Sequence, residues 1–320
     1  MFLSLNRRVS LLILVVYGAG MLGSASRATT GLIKATVVST TLKGTSGLQW
    51  FHDLGYQNAE LYQLIFPSSL GCPFVKVEVS GVQVPLMLDS GLAQGFLVTN
   101  QAPLIPYRVE SRKEELNPDG SHRGESTTIR VDRVSVLGAS FKDVAGSLSD
   151  WRMFSSVPFP GAVGLDFFLD RRLTMDYRSG RVAASVSPLP GKLDPERYLV
   201  VDLIDPPRQQ GHILYARARV NRRDAIIYFD TGYIVSFIDP GFSGGLTRSE
   251  RPGQFKVFRR MVPVEMGGYA FVLDNLRESP VHRGTGFDLP VALALGSDFL
   301  SNFIVTIDLR AKKLILALAE

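Results

Sequence analysis

Two stretches of the chain alternate apolar and polar residues with a period of two. Val75, Val77 and Val79 alternate with Lys76, Glu78 and Ser80, and Ala216, Ala218 and Val220 alternate with Arg217, Arg219 and Asn221. That period turns one face to a core and the other to solvent, which is the pattern of a half-buried strand. Each stretch runs through a short turn, Ser80-Gly81 or Asn221-Arg222, into a second, more apolar strand. Those second strands, Leu86-Met87-Leu88 and Ile226-Ile227-Tyr228-Phe229, lead directly into Asp89-Ser90-Gly91 and Asp230-Thr231-Gly232. The chain therefore writes the same hairpin twice and ends it each time in Asp-Ser/Thr-Gly.

A second pair of segments matches downstream. The text from Ala162, A-V-G-L-D-F-F-L-D-R-R-L-T-M-D-Y-R, aligns without gaps with A-L-G-S-D-F-L-S-N-F-I-V-T-I-D-L-R from Ala294. Gly164 meets Gly296, Asp166 meets Asp298, Phe167 meets Phe299, Thr174 meets Thr306 and Asp176 meets Asp308. Each segment runs into a last strand, near Val182 to Val186 and near Leu314 to Leu318. The parts come in the same order in both halves, which predicts two homologous units, residues 72–190 and 199–320. Pro188, Pro190, Gly191 and Pro195 mark a linker over residues 191–198.

The N-terminus has a different pattern. Arg7 and Arg8 precede an apolar run from Val9 to about Leu22, and Gly23, Ser24, Ala25 and Ser26 follow. A basic start, an apolar middle and a small-residue end predict a signal peptide over residues 1–26, or an uncleaved membrane anchor through residues 9–26. Either reading predicts an exported protein, periplasmic or extracellular. Gly18, Gly20 and Gly23 spell G-x-G-x-x-G, but no strand–helix–strand pattern surrounds them, so a dinucleotide site is not expected. Residues 27–71 form an N-terminal extension. Leu48, Trp50, Phe51, Leu54, Tyr56, Leu61, Tyr62 and Ile65 have loose helix or strand spacing there, and a pro-segment, a linker and an added strand are all open.

Composition changes this picture little. A length of 320 residues suits two compact units. Thirty Gly and eighteen Pro suit a turn-rich β chain, and a net charge of +5 spread along the sequence is no footprint for nucleic acid. Cys72 is the single cysteine, so no internal disulfide forms; it reads as a small buried apolar residue. His52, His122, His212 and His282 stand singly, without metal-ligand spacing. Neither a metal nor a cofactor is expected.

The chemistry sits on the repeated acids. A carboxylate at the end of an apolar strand is costly to desolvate and needs donors or a partner. Ser90 and Thr231 offer hydroxyls, while Gly91 and Gly232 allow a tight turn whose backbone N–H groups face the acid. One such loop is a common turn. Two copies, each after a matching hairpin and before a matching Gly-x-Asp-Phe segment, point to a pair. Halves related by a pseudo-twofold axis bring the two loops together. Like charges about 3 Å apart do not both ionise easily, so one proton is shared.

These residues resemble the retropepsin-like aspartic proteases, in the fused two-lobe form of many predicted bacterial aspartyl proteases, and are similar in principle to pepsin. The resemblance covers the chain from about Phe74 onward. It implies a mainly β fold of two β-barrel lobes, a polypeptide substrate and a monomer, with Asp89 and Asp230 catalytic. Ser90, Gly91, Thr231 and Gly232 match the supporting positions of the catalytic loops, and Ser90 and Thr231 those that bond between lobes. Gly164 and Gly296 match the apolar-apolar-Gly segments that pack behind those loops. A flap would fall at Asn117-Pro118-Asp119-Gly120 and its flanks, with a weaker candidate at Gly267-Gly268. Leu92 and Tyr233 depart from the family, which commonly carries Ala, Ser or Thr there. Their bulk would narrow the cleft, shift the titration of the pair, or weaken catalysis.

Three other functions compete. A non-catalytic protein of the same fold would hold an extended peptide by strand addition. Gly241-Phe242-Ser243-Gly244-Gly245 fits the G-x-S-x-G of serine hydrolases, but that motif needs a strand-to-helix turn and no helix of useful length is predicted after it. A double-β scaffold would leave the paired acids unexplained.

Overall fold

The computed structural model describes residues 43–45, 47–56, 58–66, 71–92, 95–116, 122–149, 159–207, 211–243, 257–258, 261–274, 276–281 and 285–319. The fold is mainly β, with a six-stranded barrel and a large sheet. The signal or anchor expected over residues 1–26 and the turn Asn117-Pro118-Asp119-Gly120 lie outside the described residues. Among the described residues no helix is long and apolar enough to cross a membrane.

The first hairpin forms as its alternation predicts. Strand Phe74–Val79 pairs antiparallel with Val82–Leu88, and Val79 faces Val82 across a two-residue turn. Ser80 and Gly81 both take positive φ, +46° and +86°. That backbone suits the right-handed twist of a two-residue hairpin, and Gly81 takes it without a Cβ penalty. Val82–Leu88 then lies parallel to Gly161–Val163, which runs antiparallel to Phe96–Thr99. Phe96–Thr99 runs parallel to Ala139–Ser149, and that strand pairs with His122–Val136. The barrel closes where Val77 to Val79 meet Val134 to Val136. Strand Arg108–Leu116 adds to the outer edge of His122–Val136.

The second hairpin repeats these pairings inside the larger sheet. Leu214–Val220 pairs with Arg223–Phe229 through Asn221 and Arg222, again both at positive φ. Arg223–Phe229 lies parallel to Val291–Leu295, and the latter is antiparallel to Phe237–Ile238. The registers agree in detail. Met87 and Leu88 face Ala162 and Val163, as Tyr228 and Phe229 face Ala294 and Leu295. The Gly267-Gly268 turn joins Val262–Met266 to Tyr269–Leu273. A Cβ on Gly267 would lie 2.8 Å from the Val200 carbonyl, so the turn is seated against strand Tyr198–Ile204. The Tyr269 hydroxyl ties it down further by donating to the Pro195 carbonyl. The corresponding turn in the first repeat is Leu137-Gly138, between His122–Val136 and Ala139–Ser149.

One run of the large sheet joins the repeats. Its order is Leu61–Gln63, Arg181–Ser185, Arg172–Asp176, Phe303–Asp308, Lys313–Leu318 and Tyr198–Ile204. The duplicated strands Arg172–Asp176 and Phe303–Asp308 are direct neighbours, with Thr174 opposite Thr306.

The N-terminal extension supplies both a strand and core. Leu61–Gln63 extends this sheet beside Arg181–Ser185, and Gln49–Asp53 is a short helix. Trp50, Leu54 and Tyr56 are fully buried. The Trp50 indole donates to Asp176, and the Tyr56 hydroxyl lies 2.8 Å from Thr174 Oγ1. Arg172 is also fully buried: its guanidinium covers the Tyr56 ring at 4.6 Å and donates to the Leu54 and Ser187 carbonyls. A buried cation is tolerated because those carbonyls and the ring face replace water.

Candidate active site

Each Asp-Ser/Thr-Gly loop is fixed to its own repeat in the same way. The Asp89 amide donates to the Val163 carbonyl at 3.0 Å, and the Asp230 amide to the Leu295 carbonyl at 2.9 Å. Gly91 N–H donates to Asp89 Oδ1 and Gly232 N–H to Asp230 Oδ1, both at 2.8 Å. The apolar strands thus end in turns whose amides serve the acids, which is what a buried carboxylate requires.

The glycines behind the loops allow close approach. A Cβ on Gly164 would lie 2.8 Å from the Leu92 carbonyl oxygen, and one on Gly296 would lie 2.7 Å from that of Tyr233. Three residues carry more of this support than the sequence reading assigned. Asp166 accepts from the Gly95 amide at 2.7 Å, and Asp298 accepts from the Ser236 amide at 2.9 Å and its hydroxyl at 2.5 Å. Gly95 and Ser236 each stand six residues after the acid of their loop. The match of Asp166 to Asp298 in the repeat was the available signal. The Ser297 hydroxyl donates to the Thr231 carbonyl at 2.8 Å, a bond without a sequence signal because Leu165 is its counterpart.

The two loops lock onto each other. Ser90 N–H donates to Thr231 Oγ1 at 2.9 Å, and Thr231 N–H donates to Ser90 Oγ at 3.0 Å. The Thr231 hydroxyl then donates to the Leu88 carbonyl at 2.6 Å, and the Ser90 hydroxyl to the Phe229 carbonyl at 3.2 Å. All four partners are buried, so each hydroxyl satisfies a group that water does not reach.

This lock sets Asp89 and Asp230 side by side. Asp89 is 1% exposed and Asp230 3%. A Cβ on Gly232 would come within 2.6 Å of Asp89 Oδ1, and one on Gly91 would overlap the Asp230 carboxyl and the Tyr228 hydroxyl. Glycine is needed at both places because each loop passes over the other's acid. Burial, and next the neighbouring Asp230 charge, push the Asp89 carboxyl well above the ordinary carboxylate range, against the pull of the Gly91 amide. Burial also raises Asp230, but the Tyr228 hydroxyl and the Gly232 amide draw it back. Two facing carboxyls of this kind share one proton and titrate as a pair.

The remaining groups are lining. Leu92 and Tyr233 are both buried, and Tyr233 packs edge-on against Tyr228 and Phe237. The Cys72 thiol is buried, pushed up by desolvation, and lies 3.5 Å from the Gly232 carbonyl. Ser243 of the G-x-S-x-G match sits on a four-residue helix, buried, with its hydroxyl bonded to the Pro240 carbonyl.

Compared with known proteins, the chain matches no family model, and no curated protein matches it.

Proposed function

We propose that the chain is an aspartic endopeptidase whose two repeats act as lobes of a retropepsin-like, bilobal fold. The observation that carries the reading is the contact between Asp89 and Asp230 across two loops locked by Ser90 and Thr231. In the active state one acid is ionised and the other protonated. The ionised member takes a proton from a water held between them, and that water's oxygen bonds to the scissile carbonyl carbon. The neutral member gives a hydrogen bond, then its proton, to the carbonyl oxygen. A tetrahedral diol forms. The acid that took the water's proton gives it to the nitrogen, the other acid takes back a proton from a diol hydroxyl, and the C–N bond breaks to release the amine and a carboxylic acid. The groups needed for these steps belong to the chain itself and to water.

The substrate on this reading is an extended polypeptide, and a single chain supplies both acids, so a monomer suffices. The basic and apolar start of the sequence supports action outside the cytoplasm, with or without an anchor through residues 9–26.

The test is cleavage of a denatured protein by the mature chain, comparing wild type with Asp89→Asn and Asp230→Asn. Turnover by wild type, lost in both variants and passing through a maximum at acidic to neutral pH, supports the peptidase. Equal turnover by the variants, or a rate rising steadily through about pH 9, would sink it, because a shared proton is then not required. Peptide binding by wild type without cleavage would leave a binding protein in its place.

A further inference from the structure

The acids are alike in sequence but not in their surroundings. Asp230 has a donor on each oxygen: the Gly232 amide at Oδ1, and the Tyr228 hydroxyl at Oδ2, 2.5 Å away. Asp89 has the Gly91 amide at Oδ1, whereas Oδ2 is buried and no donor among the described residues reaches it. The difference comes from one position in the repeat. Tyr228 stands two residues before Asp230, and Met87, which has no donor to offer, stands two before Asp89.

We propose that Tyr228 is a positioning residue that assigns the shared proton: its hydroxyl holds Asp230 in the ionised form and leaves the proton on Oδ2 of Asp89. The proposal rests on the peptidase reading for its consequence, since Asp230 then activates the water and Asp89 acts as the acid. Its structural basis is independent of that reading. A carboxylate favours a donor on each oxygen, while a protonated oxygen is itself a donor. The Asp89 carboxyl lies against the Asp230 carboxyl, which can accept that proton's hydrogen bond.

Tyr228 is built to hold this place. It is 1% exposed, its ring lies 5.3 Å from Tyr215, and Tyr233 meets it edge-on at 5.8 Å. Gly91 leaves the room its hydroxyl occupies. Among the described residues, the other titratable groups that face the pair or Tyr228 are Tyr215, Tyr233, Tyr177 and Cys72. Burial pushes the Tyr177, Tyr228 and Tyr233 phenols and the Cys72 thiol upward, so these stay neutral while the acids titrate.

The experiment compares Tyr228→Phe, and 3-fluorotyrosine placed at position 228, with wild type. A hydrogen bond to a charged group is worth enough that its loss moves a carboxyl pKa by about one to two units. In the pH profile of kcat/KM the acid limb is therefore expected to move up by that amount in Tyr228→Phe. It is expected to move down with fluorotyrosine, which keeps the ring and is the stronger donor. The same titration is read without activity by carbon NMR of the Asp230 carboxyl in an Asp89→Asn background, with Tyr and with Phe at 228. An upward shift there supports the proposal even if no peptide is cleaved. An unchanged Asp230 titration overturns it even if wild type is an active peptidase. If Tyr228→Phe fails to fold, the fluorotyrosine protein decides: a limb and carboxyl titration that do not move down overturn the assignment.

Discussion

The hydroxyls of Thr174 and Thr306 lie 2.7 Å apart, both buried, on facing strands. The two residues occupy the same place in the duplicated segments, and they pair with each other in register. Met175 faces Val305 on one side of them and Leu173 faces Ile307 on the other, so equivalent residues exchange roles across the ladder. An antiparallel ladder that matches itself this way has a local twofold through its central pair. The Asp-Ser/Thr-Gly loops show the same exchange, Ser90 to Thr231 and Thr231 to Ser90.

The threonine pair predicts a coupling. Thr174→Val alone leaves the Thr306 hydroxyl buried without its partner, at a cost of about 1–3 kcal/mol. Thr306→Val leaves the Tyr56 hydroxyl as the remaining partner of Thr174 and should cost less. The double variant removes both halves of the bond and should be less destabilised than the sum of the singles. Urea unfolding of the four proteins measures this cycle, and strict additivity would show that the hydroxyls do not act together.

The reciprocal lock at the acids predicts a sharper effect. Thr231→Val keeps the shape but orphans the buried Ser90 amide and the Leu88 carbonyl. A loss of about 1–3 kcal/mol per orphaned group is expected, with cleavage lost because the acids are no longer held together. Thr231→Ser retains the hydroxyl and should recover most of both. A valine variant with wild-type stability and turnover would remove the lock from the account.

Much of this arrangement is legible in the sequence because it is written twice. The alternation of Val75, Val77 and Val79, and of Ala216, Ala218 and Val220, fixes the faces of the hairpins, and the turn residues fix their length. The acids, their glycines and the hydroxyl partners follow from two copies of one short pattern. The bond from Asp166 or Asp298 to the loop was present as a matched pair but had no assigned task, since the target amides carry no side-chain signature. Tyr228 was hidden for the opposite reason. It breaks the repeat, and an aromatic residue on an apolar strand reads as core until its hydroxyl is seen to have a carboxylate partner. Glycine at Gly267-Gly268 reports backbone freedom and not which strand the turn meets, so its seating against Tyr198–Ile204 had no signal in the sequence.

The N-terminal extension is expected to belong to the mature body and not to a removed pro-segment. Trp50 is fully buried and bonds to Asp176, and Leu61–Gln63 forms the edge of the sheet that joins the repeats. Trp50→Ala should cost about 3–5 kcal/mol through the cavity it leaves. A mature chain that begins before Lys43 keeps these contacts, so mass spectrometry of the mature protein should find its N-terminus upstream of that residue. A stable, fully folded product starting after Gly71 would show that the extension is dispensable.

Protonation of the pair also links stability to pH. Asp89 has its folded-state pKa raised above the unfolded value of about 3.9, because burial and the Asp230 charge disfavour its ionised form. The folded chain then binds this proton more tightly than the unfolded chain. That contribution to stability is complete below the unfolded value and is lost as pH climbs through the folded one. Asp230 adds a contribution of the same sign, since its pKa is raised as well. Asn at position 89 does not titrate, and its side-chain oxygen still accepts from the Gly91 amide. Asp89→Asn should therefore gain stability relative to wild type as pH rises above the unfolded carboxyl value of about 4, until the raised folded-state pKa is passed. Thermal or urea unfolding of both proteins across that range measures the gain. Parallel stability curves would mean that Asp89 keeps an ordinary carboxylate pKa in the folded chain, which a buried carboxyl facing a second carboxyl does not.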